Sequence, residues 1–304
     1  MSQSLKERIY QAQCLGNVEP IEYMTPYPNL RGLIEGQNVK HHGKMVYSDL
    51  KMTSKDVYEI VQQIANWLVG EGLKPKQRVW VKQQSFPHSE LLLFGVWAVG
   101  ASVIMTDGNS DIDGIVEADL VIHEDPIPEK IIGFDPHFDP TYKSLLGDEA
   151  LVFVSREKGI RLSHYNLLVN ANDVQRKLDL YDDGTFFVDL EPTSTAWVIL
   201  QAIFPFYTGA PMTKENPDLT IGTSDSDHNV IFDWERISEG NDLYYLPENS
   251  AILSCGDMGL HLTSYELNKD TLTVNGHSVM MGYIDDKENE KVFKEGSLVL
   301  QLNP

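Results

Sequence analysis

Apolar residues fall into two kinds of run along this chain, one repeating at helical spacing and one short and continuous. Val57, Ile60, Val61, Ile64, Trp67 and Leu68 recur at three- and four-residue intervals, which predicts an amphipathic helix with one buried face. Thr53-Ser54 followed by Asp56 marks its start, and Gly70 and Gly72 mark its end. A hydroxyl and an acid at this spacing satisfy the orphan N–H groups of a first turn. Arg78 to Val81 reads as a short strand. Ser89 opens a second helix over 91–99, closed by Gly100, and 101–105 follows as a buried strand, with 121–122 a shorter one. The alternation restarts near Asp148. A strand is predicted over 151–154, then a helix from Ser163, its N-cap, to Leu178, with Leu167, Leu168, Ala171 and Val174 on its apolar face. A strand over 186–190 precedes a helix over 195–207 that Gly209 ends. Helix and strand alternating through glycine-marked turns predict an α/β class with mostly parallel sheets.

Other stretches are less patterned. Residues 1–45 hold Pro20, Pro26 and Pro28 and show no clear period. Residues 211–250 are rich in Asp, Asn, Ser, Gly and Pro, so mostly loop with short strands is expected. From Ala251 onward, apolar runs at 260–263 and 271–274 are separated by Asn and Gly, which predicts a β-rich unit. The expected organisation is two α/β subdomains, 1–147 and 148–250, and a small β-rich subdomain, 251–304. A length of 304 residues suits about two domains.

Charge narrows the function. Lys plus Arg number 24 and Asp plus Glu 45, a net charge of −21. Such a chain repels phosphate backbones and anionic lipid, so neither nucleic acid nor membrane is an expected partner. The longest apolar run, Leu91 to Met105, is broken by Gly95 and Gly100 and is too short to span a bilayer. The first residues, MSQSLKERIYQAQ, lack an apolar signal core, so the cytoplasm is the expected compartment. An apolar fraction of 42% is enough to build a substantial core. Cys14 and Cys255 are too few for a disulfide framework or a multi-thiolate zinc site. Asp135, His137 and Asp139, with His123, Glu124 and Asp125 nearby, match no standard ligand spacing, and no metal is expected. Gly-x-Ser-x-Gly, phosphate-binding Walker and dinucleotide fingerprints are absent.

Four blocks carry a family resemblance. LKPKQRVWVKQQSFPHSELLLFGVWAVGASVIM resembles the early core of the adenylate-forming superfamily, which includes acyl-CoA synthetases, aryl-CoA ligases and peptide-synthetase adenylation domains. LVFVSREKGIRLSHYNLLVNA resembles that family's phosphate-loop segment and the helix after it. FFVDLEPTSTAWVILQAIFPFYTGA resembles its substrate helix, and LTVNGHSVMMGYIDDKENEKVFKEGSLVLQL its glycine-tyrosine block. The blocks keep the family's order. The resemblance implies the fold of the large N-terminal domain of these enzymes. It also implies a chemistry in which a carboxylate attacks ATP-Mg to form an acyl-adenylate and a thiol then accepts the acyl group.

At the reacting positions the chain departs from the family. The phosphate loop, Ser/Thr-Ser-Gly-Thr-Thr-Gly-x-Pro-Lys-Gly in the family, is reduced to Ser155-Arg156-Glu157-Lys158-Gly159. The resemblance leaves Ser155, Lys158 and Gly159 as a nucleotide-loop remnant, and the plain alternative is a surface turn between strand and helix. Glu157 adds a carboxylate where a polyphosphate would lie. The family's carboxylate pocket maps to Thr193, Ser194, Thr195 and Trp197. These hydroxyls could equally cap the helix that begins there, with Trp197 filling the space of a substrate. The Y-G-x-T-E segment, which contacts adenine and metal in the family, finds only poor candidates in Thr223-Ser224-Asp225 and Cys255 to Gly259. The ribose-binding aspartate falls near Leu302, which cannot accept those hydrogen bonds. The C-terminal domain with the catalytic lysine is expected to be absent. The resemblance and its losses together imply a degenerate, catalytically inactive protein with no catalytic residue and no cofactor. It would bind a small carboxylate, or a pathway partner protein on the face that the missing domain covers. The alternative is a compact acid–thiol ligase using ATP and Mg at an atypical site.

Overall fold

The Thr53 hydroxyl accepts from the Asp56 N–H, and the Asp56 carboxylate accepts in return from the Thr53 N–H, so the predicted helix starts where its capping residues stand. The computed structural model describes residues 3–23, 25–123 and 127–301. In chain order the elements are α1 (Leu5–Ala12), α2 (Leu30–His41), β1 (Met45–Tyr47), β2 (Met52–Thr53), α3 (Ser54–Gly70), β3 (Arg78–Val81), α4 (His88–Val99), β4 (Ser102–Thr106), β5 (Leu120–Ile122) and α5 (Ile127–Ile131). There follow β6 (Glu149–Ser155), β7 (Lys158–Ser163), α6 (His164–Leu178), β8 (Phe186–Val188), a helical run α7 (195–208), β9 (Leu219–Gly222), β10 (His228–Ile231), β11 (Leu243–Tyr245), β12 (Ile252–Cys255) and β13 (Met258–Gly259). The last are β14 (Thr263–Leu267), β15 (Thr271–Gly276), β16 (Gly282–Tyr283), α8 (Asp286–Val292), β17 (Phe293–Lys294) and β18 (Ser297–Gln301).

Among the described residues, two six-stranded sheets and one four-stranded sheet result, besides the small β1–β2 pair. The first sheet has the order β16-β7-β6-β4-β3-β5, with β6, β4, β3 and β5 parallel and β7 and β16 antiparallel at one edge. The second has the order β13-β12-β11-β10-β9-β8, parallel from β8 to β11. The third, β14-β15-β18-β17, is antiparallel throughout. The fold is mixed α/β with mostly parallel large sheets, as the alternation predicts. The sheets cross the divisions at 147/148 and 250/251: β6 and β7 complete the first sheet, and β12 and β13 the second.

α4 is buried on every side from Ser89 to Val99, as a helix apolar all round must be. It begins at His88, three residues before the predicted Leu91. Ser89 does not cap it; its Oγ instead accepts from the Gln84 N–H at 2.8 Å. α1 and α2 escape the sequence pattern because α1 fully buries only Ala12 and α2 carries Gly32 and Gly36, poor helix formers, inside it. Lys158–Ser163 is a strand rather than the lead-in to a helix. Its Ile160 and Leu162 are buried alternately, a period too short to stand out beside the stronger helix that follows.

Candidate functional site

β3 and β4 end side by side, at Val81 and Thr106. Ligands of open parallel sheets bind in the crevice beyond such carboxyl ends. Here the crevice holds a cavity of about 250 Å³ lined by Trp80, Lys82, Leu93, Met105, Thr193 and Trp197, among others. The Lys82 Nζ lies 3.1 Å from the centroid of the Trp80 ring, a cation–π contact. Asp111 is the one carboxylate among the described lining residues. Gly108 closes one side with φ +81°, and a Cβ there would stand 3.2 Å from Thr193 Cγ2. Both its backbone and its neighbour therefore call for glycine.

α7 starts after Pro192. Ser194, in extended backbone, is its N-cap, and its Oγ accepts from the Trp197 N–H at 3.2 Å. The Thr195 N–H and hydroxyl donate to Tyr245 Oη at 3.4 and 3.3 Å. Tyr245 lies against Phe232, ring centroids 4.8 Å apart, and burial pushes its phenol pKa up. Of the four residues expected in a carboxylate pocket, Thr193 and Trp197 border the cavity, whereas Ser194 and Thr195 cap the helix and bind Tyr245. Trp197 is itself only 1% exposed.

Beyond Trp197 the helix takes a π turn over Val198–Ile203 before returning to α over Phe204–Thr208. Such stretches re-aim side chains relative to an α register. Gln201 lies within it and donates from Nε2 to Glu90 Oε1 at 2.7 Å. Glu90 is 1% exposed, and its Oε2 and the Tyr47 Oη are buried without a hydrogen-bond partner among the described residues. Burial pushes the Glu90 carboxyl up to about 7, the Gln201 hydrogen bond only partly opposing it.

The expected nucleotide-loop remnant is a hairpin turn. Ser155 pairs with Lys158 across it, leaving Arg156 at φ +50° and Glu157 at φ +60° as its two central residues. Two left-handed residues in this place suit the twist of a hairpin. The Ser155 Oγ donates to Asp107 Oδ2 at 2.8 Å. Lys158 Nζ lies 3.3 Å from Glu288 Oε2 and 5.0 Å from the centroid of the Tyr283 ring. A Cβ on Gly159 would meet Ile284 Cγ1 at 2.8 Å, so that glycine admits close packing. A second cavity of about 250 Å³ adjoins this turn, lined by Arg156, Lys158, Tyr283 and Glu288 among others. It shares no lining residue with the first.

One segment was missed from the sequence. Thr223 to Asp225 lie in a turn after β9, and Cys255 to Gly259 in the β12–β13 hairpin. Tyr244-Tyr245-Leu246-Pro247-Glu248, leaving the end of β11, instead carries the tyrosine and the glutamate of the Y-G-x-T-E spacing, with Tyr245 at the glycine. The Tyr-x-x-x-Glu spacing was the available signal, masked by the loss of the glycine. Tyr283 Oη donates to Glu248 Oε1 at 2.9 Å, and burial, followed by the Glu248 charge, pushes the Tyr283 phenol up. Among the described residues no three His, Cys, Asp or Glu side chains converge as a metal site. Glu124, Asp125 and Leu302 lie outside the described residues.

No protein-family model matches the sequence, and a search of curated proteins finds no match. Solved structures do match. The anthranilate CoA ligase AuaEII, in complex with anthranoyl-AMP, superposes with a TM-score of 0.72 at 13% identity, over 91% of this chain and 74% of that one. A long-chain-fatty-acid-CoA ligase from Archaeoglobus fulgidus gives a TM-score of 0.71 at 11% identity, over 88% and 79%. The NpsA N-terminal subdomain from Klebsiella oxytoca, in complex with anthranilyl-AMSN, gives 0.69 at 13% identity, over 93% and 96%. The chain has the fold of the N-terminal domain of adenylate-forming enzymes. The match extends over about nine tenths of the chain. Among the described residues no helix is long and apolar enough to cross a membrane.

Proposed function

We propose that this protein is a non-catalytic member of the adenylate-forming fold that binds a small carboxylate in the cavity at the ends of β3 and β4, with the Lys82 ammonium as counter-charge. The single observation that carries this reading is the two-residue turn Arg156-Glu157, where the resemblance places a phosphate loop. A phosphate cradle needs several convergent N–H groups, and a hairpin turn this tight offers no such concavity. The side chains of Ser155 and Lys158 are engaged by Asp107 and Glu288, Gly159 is covered by Ile284, and Glu157 brings negative charge. These residues do not fit a magnesium–triphosphate. Tyr245, hydrogen-bonded to Thr195, occupies the position of the segment's glycine. A small carboxylate is favoured over a protein partner, because the lining combines a cation, hydroxyls and two indoles in a concave site.

The test is a melting series. Millimolar ATP-Mg leaves the wild-type midpoint unchanged, while a carboxylate present at 100 times its Kd stabilises by about 2.7 kcal/mol. Benzoate and hexanoate serve as probes, and Lys82→Met removes their effect. The competing reading, a working ligase, finds its support in Glu248. An upward shift with ATP-Mg that disappears in Lys158→Met would overturn the non-catalytic reading and favour the ligase.

A further inference from the structure

We infer that the chain has a second small-molecule site, unrelated to the cavity at Trp197, between α1 and the body, and that it takes an amphipathic monoanion with an apolar chain. The space there is about 540 Å³, more than twice the volume of the cavity at β3 and β4. It also lies within the range of small-molecule sites, roughly 300–1,000 Å³. Leu5 and Ile9 of α1, Ile21, Tyr165 and Met281 give it mostly apolar walls.

α1 is pinned at two points by polar contacts. Arg8 Nη1 donates to the Phe293 carbonyl at 2.6 Å and the same guanidinium pairs with Glu290. One turn further on, Gln13 Nε2 donates to the Val279 and Met280 carbonyls at 3.1 and 3.0 Å. These bonds hold α1 against the body, where Ala12 joins the core and Leu5 and Ile9 pack partly buried against it, each with surface left over for the space beside them. Ile21 keeps 48% of its surface exposed beside the opening in a left-handed backbone, φ +72°, a conformation that a β-branched residue rarely adopts. Leaving such apolar surface wet is unfavourable, so an apolar ligand gains by covering it.

The charge of the ligand follows from the rim. Lys6 lines the space, and no carboxylate among the described residues lies within ion-pair distance of it. Asp286 also lines the space, and its Oδ1 accepts from Asn289 Nδ2 at 3.3 Å. The other polar groups are already occupied: Asn166 Nδ2 donates to the His277 and Val279 carbonyls, and its Oδ1 accepts from Ser163. Lys6 is the cation and Asp286 the carboxylate among the described lining residues, so the ligand's negative end pairs with Lys6 and lies away from Asp286.

Octanoate is the probe. Methyl-resolved NMR of the full chain is expected to give intermolecular contacts from the octanoate chain to the Ile9 and Ile21 methyl groups. Ile9→Trp, which fills the space, is expected to abolish these effects, and Lys6→Met to weaken binding about tenfold. Lys82→Met leaves octanoate at this site unaffected, which separates it from the proposed carboxylate cavity. Absence of the Ile9 and Ile21 contacts at saturating octanoate overturns the inference without touching the other site. Binding that survives Ile9→Trp, or that is lost in Lys82→Met alone, overturns it as well. The NMR contacts are read on the wild-type chain, so a poorly folded variant does not decide the outcome.

Discussion

Trp197→Ala is expected to lower the unfolding free energy by about 3–5 kcal/mol, the range for truncating a large buried aromatic. The indole is 1% exposed, and it sits in the first turn of α7, whose later residues Val198 to Phe204 are buried throughout. Alanine is the best helix former, so the loss measures packing rather than helix propensity. Trp197 also borders the cavity at β3 and β4, so truncation enlarges a space that already exists. That predicts a second, opposite result: indole added to the variant restores part of the lost stability, because it refills the space that the side chain left. Urea unfolding with an unchanged slope is the measurement. A loss below about 1 kcal/mol, with altered carboxylate affinity, would show that the indole is a ligand wall and contributes little as core.

Glu90→Gln is expected to stabilise the chain at pH 8 and change little at pH 4. The folded carboxyl titrates at about 7 against an ordinary value of 4.5 because burial penalises its charge. A raised acid holds its proton more tightly when folded, so its contribution is complete below pH 4.5 and is lost as pH rises through 7. The loss comes to about 3 kcal/mol across that window, at 1.36 kcal/mol per pH unit. The amide of the variant has no charge to bury, and it can still accept from Gln201. The wild-type curve alone does not display this effect. His164, fully buried, is pushed down to about 4 by desolvation, so its contribution is present above pH 6.5 and lost as pH falls through 4. Asp173, raised by burial to about 6, acts in the same direction as Glu90. The quantity to plot is therefore the difference between variant and wild type, and a difference that stays flat from pH 4 to 8 would mean Glu90 is ionised in the fold.

Several of these residues could not have been chosen from the sequence. Glu90 sits one position after a serine that looks like a helix cap, in a segment whose apolar run dominates any reading. Gln201 reaches it from the π turn of α7, and no sequence period announces a π turn. The two-residue turn at Arg156 is similar. The residues that depart from a phosphate loop were visible, but the strand that follows them was not, because Ile160 and Leu162 alone make a weak alternation. Tyr244 to Glu248 was passed over because tyrosine replaces the glycine that would have marked it.

What the sequence determined by itself is the class of fold, the main helices and strands, and the departure of residues 155–159 from the family's phosphate-loop pattern. Those follow from local causes: side-chain period, capping residues, glycine at turns, and the presence or absence of particular groups. What only the tertiary structure decided is which strands share a sheet, and hence where the site lies. β6 and β7 join β4 across more than forty residues of chain, and Thr195 meets Tyr245 across fifty. Such contacts depend on how whole layers pack, and a packing of layers leaves no local signature in the residues that come to touch.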